Sequence, residues 1–181
     1  MAQPLDIRPL LDPEISALLA ASPVDIGAAL GSLTNESVVE IRAMFGATPP
    51  PPLSDSVERT DYLVPGRDGV TVRVHRPKNI TGSRPCVYWM HGGGLVIGDN
   101  KMDDARFDAW CNKYGIVGVS VDYRLAPEHP YPTPLEDCYA GLAWVIAQAG
   151  ELGIDTNRLG IGGASAGAGL AAGLALLARD R

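Results

Sequence analysis

Three short apolar runs constrain this chain more than any other feature: residues 85–90 (Pro85-Cys86-Val87-Tyr88-Trp89-Met90), 115–121 and 158–163. Each is of strand length, and the first two lack the apolar–polar alternation of a half-exposed strand, which fits strands buried on both faces. Segments of helical character follow each run, over 103–114, from Thr133 to about Ala149, and over 166–179. On the first, Ala105, Trp110 and Tyr114 are expected to face inward. The second opens with Thr133-Pro134-Leu135-Glu136, a capping box with proline at the first helical position. Ahead of these runs, 57–64 and 70–76 flank Pro65-Gly66-Arg67-Asp68-Gly69, which predicts a hairpin. Strands alternating with helices after a hairpin predict an α/β fold, a mostly parallel sheet with helices on both faces.

Upstream the pattern is different. Residues 13–21 and about 35–45 read as short helices, the second opening at Thr34-Asn35-Glu36-Ser37 with Val38, Val39, Ile41 and Met44 apolar. Pro49 to Pro52 cannot continue a helix or an inner strand and form a stiff spacer. The expected organisation is an N-terminal helical cap region over 1–50 and the first part of a catalytic sheet domain over 51–181.

Charge and cysteine usage remove several function classes. Lys and Arg number 15 against 21 Asp and Glu, a formal charge of −6 with no basic run, so nucleic acid is not an expected partner. The start of the chain has neither the basic segment nor the apolar run of a signal peptide, and no stretch approaches the ~20 apolar residues of a membrane span. Cys86, Cys111 and Cys138 are widely spaced, odd in number and match no metal pattern. They read as buried reduced thiols, and the protein as cytoplasmic. No metal and no organic cofactor are expected.

The chemistry centres on Gly163-Ala164-Ser165-Ala166-Gly167, a G-x-S-x-G at a strand-to-helix junction. The bare motif arises by accident in roughly one chain in eight of this composition, so its placement carries the weight. On that turn a serine is strained and exposed at the C-terminal edge of the sheet, and small neighbours let strand and helix approach. A glycine-rich turn with an incidental serine is the bland alternative. A phosphate-binding loop is excluded by Ala168 and Gly169, which stand where Lys and Ser or Thr are required. A second constellation, His91-Gly92-Gly93-Gly94, directly follows the 85–90 run. Consecutive glycines are entropically costly unless the backbone must approach something closely, and an oxyanion hole is such a use.

With Gly98-Asp99, the run Asp122-Tyr123-Arg124-Leu125-Ala126-Pro127-Glu128-His129-Pro130-Tyr131-Pro132, and Leu135-Glu136-Asp137, these residues resemble the bacterial hormone-sensitive-lipase-like esterases. The resemblance runs from about residue 55 to the end and implies an α/β-hydrolase fold with an N-terminal helical cap over the acyl pocket. It implies Ser165 as nucleophile, Gly93, Gly94 and Ala166 as oxyanion donors, and supporting roles for His91, Gly92, Gly163 and Gly167. It implies a small ester of short to medium acyl chain as substrate. Leu95 stands where the family usually has an aromatic residue, and Ala164 where Asp is frequent.

A serine nucleophile needs a base and an orienting carboxylate, which in this fold follow it in the chain. After Ser165 there is Asp180 but no histidine. His75, His91 and His129 are expected to be structural or solvated, while Asp122, Glu128 and Asp137 brace the loop after Asp122, with Arg124 as ion partner. The sequence therefore reads as ending after the nucleophile helix, before the later strands and the triad Asp and His. The 181 residues alone are expected to be inactive. An unpaired strand edge would remain, leaving room for a homodimer. Two other readings stay open: a non-catalytic small-ligand receptor of the same fold, and a fragment without independent function.

Overall fold

The computed structural model describes residues 10–21, 33–46, 51–79 and 81–181. Residues 1–9, which carry most of the expected non-signal start, and 47–50, the first half of the proline spacer, lie outside the described residues. The elements in order are α1 (Pro13–Ala21), α2 (Asn35–Gly46), β1 (Val57–Leu63), β2 (Thr71–Pro77), β3 (Arg84–Met90) and α3 (Asp104–Tyr114). They continue with β4 (Val117–Asp122), α4 (Thr133–Ala147), α5 (Ala149–Leu152), β5 (Ile154–Gly163) and α6 (Ala166–Asp180). Contacts divide the chain into residues 1–38 and 39–181. The first unit holds α1 and the opening of α2. Thr34 and Ser37 cap that opening reciprocally: the Ser37 amide donates to Thr34 Oγ1 at 3.2 Å, and the Thr34 amide to Ser37 Oγ at 2.9 Å.

The second unit is built on one five-stranded sheet, ordered β1-β2-β4-β3-β5. β1 and β2 form the expected antiparallel hairpin, and β2 also runs antiparallel to β4. β3 pairs in parallel with β4 on one side and β5 on the other. The parallel part is thus β4-β3-β5, and the hairpin makes the whole sheet mixed.

Burial on both sides explains why β3 and β4 read as continuous apolar runs, whereas residues 158–163 at the end of β5 are exposed or half-buried. Cys86, Tyr88 and Met90 of β3 join Val72, Val119, Val121, Cys138, Leu142, Val145 and Leu174 in the larger core, beneath α4 and α6. The alternate residues Val87 and Trp89 turn to the other face and meet Phe107 and Cys111 of α3. Helices therefore cover both faces of the sheet. All three cysteines are buried and unpaired. Among the described residues no helix is long and apolar enough to cross a membrane.

Two local expectations are corrected. The buried face of α3 is Asp104, Phe107 and Cys111; Ala105 and Tyr114 point outward and Trp110 is half-buried. The cause is polar burial. Asp104 reaches across to Arg73 on β2 at 2.9 Å, so the inward stripe is not purely apolar and the helical phase shifts. The second correction concerns α4. Thr133 is its first residue rather than its cap, and no side chain caps the helix. Glu136 is drawn instead to Arg181, whose guanidinium holds both its oxygens at 2.8 and 3.0 Å.

Because β3, β4 and β5 run the same way, the segments leaving them emerge at one edge of the sheet. The crossover from β3 leads through α3 to β4, and that from β4 leads through α4 to β5 on the opposite side of β3. The ends of β3 and β5 therefore flank a point where strand order reverses, the usual location of sites in open α/β sheets.

Candidate active site

Ser165 stands between the last residue of β5 and the first turn of α6, and its side chain is exposed. Its backbone has φ 51° and ψ −118°, a strained conformation for a residue with a Cβ. The hydroxyl makes no capping bond to α6, although Ser165 occupies the N-cap. It is left free at a helix N-terminus, where partial positive charge favours developing negative charge.

The turn is tight enough to demand glycine on either side. A Cβ on Gly167 would run into the carbonyl oxygens of Met90 and His91, and one on Gly163 into that of Gly167. This close packing seats the start of α6 directly on the end of β3. The Ala164 amide donates to the Met90 carbonyl at 3.1 Å and fastens the same junction.

The 91–94 segment leaves β3 at that point and lies against the serine turn. A Cβ on Gly92 would be 3.5 Å from Ser165 Cβ and 3.1 Å from the Ala164 carbonyl. Gly93 has φ 114°, and a Cβ there would collide with the Ile97 carbonyl. Gly93 thus closes a turn, its carbonyl accepting from Val96 at 3.1 Å and from Ile97 at 3.0 Å. Among the loop and turn hydrogen bonds of the described residues, the amides of Gly93, Gly94 and Ala166 donate none. The structure thus brings His91, Gly92, Gly93, Gly94, Gly163, Ser165, Ala166 and Gly167 to one edge of the sheet.

His91 is buried, and its ring stacks on Tyr123 with centroids 4.2 Å apart. Its Nδ1 lies 2.7 Å from the Gly92 carbonyl, while Tyr123 Oη donates to the His91 carbonyl at 2.7 Å. Burial lowers the His91 pKa, which keeps the ring neutral, as a loop support should be. Tyr123 is one support whose mechanical role was not legible in advance. The other braces fall largely where expected. Arg124 holds Asp137 bidentately at 2.7 and 2.8 Å, and Glu128 pairs with Arg42, which keeps its carboxyl down at about 2. Asp122 makes no ion pair among the described residues, and burial pushes its pKa up to about 6. His75 is fully buried under α3, and His129 lines a cavity of about 330 Å³ with Arg42, Asp122 and Tyr123. Among the described residues no three His, Cys, Asp or Glu side chains gather as metal ligands.

A family profile described as alpha/beta hydrolase fold matches residues 87–181 of this sequence. The chain belongs to the α/β-hydrolase fold family. Within this family it falls in the hormone-sensitive-lipase-like branch that its motifs resemble. The hydrolase-fold chain is 39% identical over 183 residues to "Carboxylesterase NlhH" of Mycobacterium tuberculosis, covering 99% of this chain and 56% of that protein. It is 38% identical to "Carboxylic ester hydrolase LipN" of the same organism, covering 94% of this chain and 46% of that protein. Among solved structures, "Bacterial Heroin Esterase" superposes with a TM-score of 0.74 at 38% identity, over 97% of this chain and 55% of that one. The chain therefore spans about half the length of the relatives it matches.

Proposed function

We propose that these residues belong to a serine carboxylesterase that hydrolyses short- to medium-chain acyl esters, with Ser165 as nucleophile. The observation that carries this reading is the contact between the two glycine-rich segments, Gly92 lying against the strained Ser165 turn. Relatives named as carboxylesterases and esterases support the same reaction class. Ser165 Oγ attacks the ester carbonyl, and the amides of Gly93, Gly94 and Ala166 hold the oxygen that becomes negative. Each such donor is worth about 3 kcal/mol in the transition state. A histidine transfers the serine proton to the leaving alcohol, and water then releases the acid. His91, Gly92, Gly163 and Gly167 keep the geometry. Residues 1–50 form a cap that tunes acyl-chain preference, and the protein works in the cytoplasm without metal or cofactor.

All three histidines precede Ser165, and neither His75 nor His91 is exposed. In this reading the three histidines are structural or solvated, and the 181-residue polypeptide alone is inactive. Purified 1–181 is expected to show no Ser165-dependent hydrolysis of a short-chain nitrophenyl ester. The natural protein containing these residues should hydrolyse it and lose activity on Ser165→Ala. Turnover by 1–181 would refute the inactivity, and a natural protein that binds esters without turnover would favour a receptor. The 181-residue polypeptide, whose outer β5 edge pairs with no strand among the described residues, is proposed to associate as a homodimer. A monomer in sedimentation would remove that part.

A further inference from the structure

Arg42 lies on the portion of α2 that belongs to the 39–181 unit, and the mechanism above does not use it. Its guanidinium reaches two separate loops. Nε donates to the Val96 carbonyl at 2.7 Å, in the loop after β3. One Nη donates to the Ala126 carbonyl at 2.8 Å, and both Nη atoms hold the Glu128 carboxylate at 2.8 and 2.9 Å, in the loop after β4. The two loops also touch each other, the Ala126 amide donating to the Leu95 carbonyl at 2.9 Å.

Val96 is thereby held at both ends. Its amide donates to the Gly93 carbonyl, and its own carbonyl is gripped by Arg42. The Gly93 carbonyl and the Gly94 amide belong to one planar trans peptide, so fixing the oxygen on one side aims the N–H to the other. A chain of rigid links runs from Arg42 through Val96 and the Gly93 carbonyl to the Gly94 amide. We propose that Arg42 is a positioning residue that fixes the direction of the Gly94 oxyanion donor. This rests on the reading of Gly93 and Gly94 as oxyanion donors.

The contacts of Arg42 are unequal. The Glu128 side chain is half exposed, and exposed ion pairs contribute little. The two carbonyl contacts are partly buried and charge-assisted, and these do the positioning. Arg42→Ala should therefore matter more than Glu128→Gln. Arg42→Lys should behave like the alanine variant, because one ammonium cannot span both loops.

The test is steady-state ester hydrolysis by the natural protein containing these residues, together with amide hydrogen exchange. Arg42→Ala is expected to lower kcat about tenfold or more with KM within about threefold, since the donor acts in the transition state. Arg42→Lys is expected to recover less than about a third of that loss, and Glu128→Gln to stay within about threefold of wild type. Amides over 94–98 should exchange about tenfold faster in Arg42→Ala, with β3 and β5 unchanged. A kcat within about twofold of wild type, a loss confined to KM, or faster exchange throughout β3 and β5 each overturns the proposal. Ser165→Ala separates the two ideas. If it retains turnover, the nucleophile reading fails; if it abolishes turnover while Arg42→Ala is unaffected, only the role of Arg42 fails.

Discussion

Gly167 is the residue on which the serine turn most depends. Its position admits no Cβ, because the Met90 and His91 carbonyls occupy that space and both are backbone atoms of a packed strand end. A side-chain neighbour could rotate away; these cannot. Gly167→Ala must therefore lift the first turn of α6 off β3, which would also open the gap between Ser165 and Gly92. The expected cost is about 2–3 kcal/mol, the range of an overpacked core position. Urea unfolding followed by circular dichroism checks it, and a change below about 0.5 kcal/mol would mean that the junction is looser than its geometry. The same residue shows what could be read beforehand. Glycines flanking a serine at a strand–helix boundary announce a close approach, because no other residue type is needed there for any other reason. Arg42 had no such signal. The two acceptors that matter here lie 54 and 84 residues away and are backbone carbonyls, which any sequence supplies.

At the scale of elements, β3 and β4 were legible because burial on both faces leaves uninterrupted apolar runs, and β5 and α6 because the serine turn marks their junction. The inward face of α3 was not. It buries Asp104 against Arg73 and sets Phe107 on His75, so its register is fixed by polar partners on β2. The start of α4 misled for a related reason, since Glu136 has a stronger partner in Arg181 than in the helix backbone. The brace between α4 and the loop after β4 was anticipated, and its strength follows from burial. Asp137 is fully buried and accepts from the Arg124 amide at 3.2 Å as well as from its guanidinium. Asp137→Asn keeps the shape but leaves Arg124 without its counter-charge. Breaking a buried pair costs about 3–5 kcal/mol, but Arg124 retains access to water, so about 2 kcal/mol is expected. The urea midpoint of the variant measures this, and an unchanged midpoint would show that the pair contributes geometry rather than stability.

For the whole molecule, the response to acid follows from the polar layer beneath α3. His75 is fully buried, stacked on Phe107 at 4.7 Å, with Asp104 Oδ1 3.7 Å from Nε2, and neither ring nitrogen has a hydrogen-bond partner among the described residues. Asp61, Arg59, Arg73, Asp108 and Cys111 surround the same layer. Burial, reinforced by Arg59 and Arg73, holds the His75 pKa down at about 3. An unfolded histidine takes up its proton near pH 6.5, so between there and about 3 the unfolded state binds more protons and stability is lost as pH falls. Asp122 opposes this. Its pKa is raised to about 6, so below that value the native state binds more protons and stability rises as pH falls; Asp104, also raised by burial, acts in the same sense. Asp61, Asp108, Glu128, Glu136 and Asp155, whose pKa values are lowered in the native state, add to the loss in acid, so the contribution of His75 is read by difference. His75→Phe keeps the stack on Phe107 and removes the proton site. Relative to wild type, it should gain about 2–3 kcal/mol between about pH 7 and about pH 4.5. His91 and Asp122 titrate in both proteins and cancel, while Asp104 loses its contact with the His75 ring. Urea midpoints of the two at both pH values decide the matter, and parallel pH dependence would mean that His75 is hydrated and titrates freely in the native state.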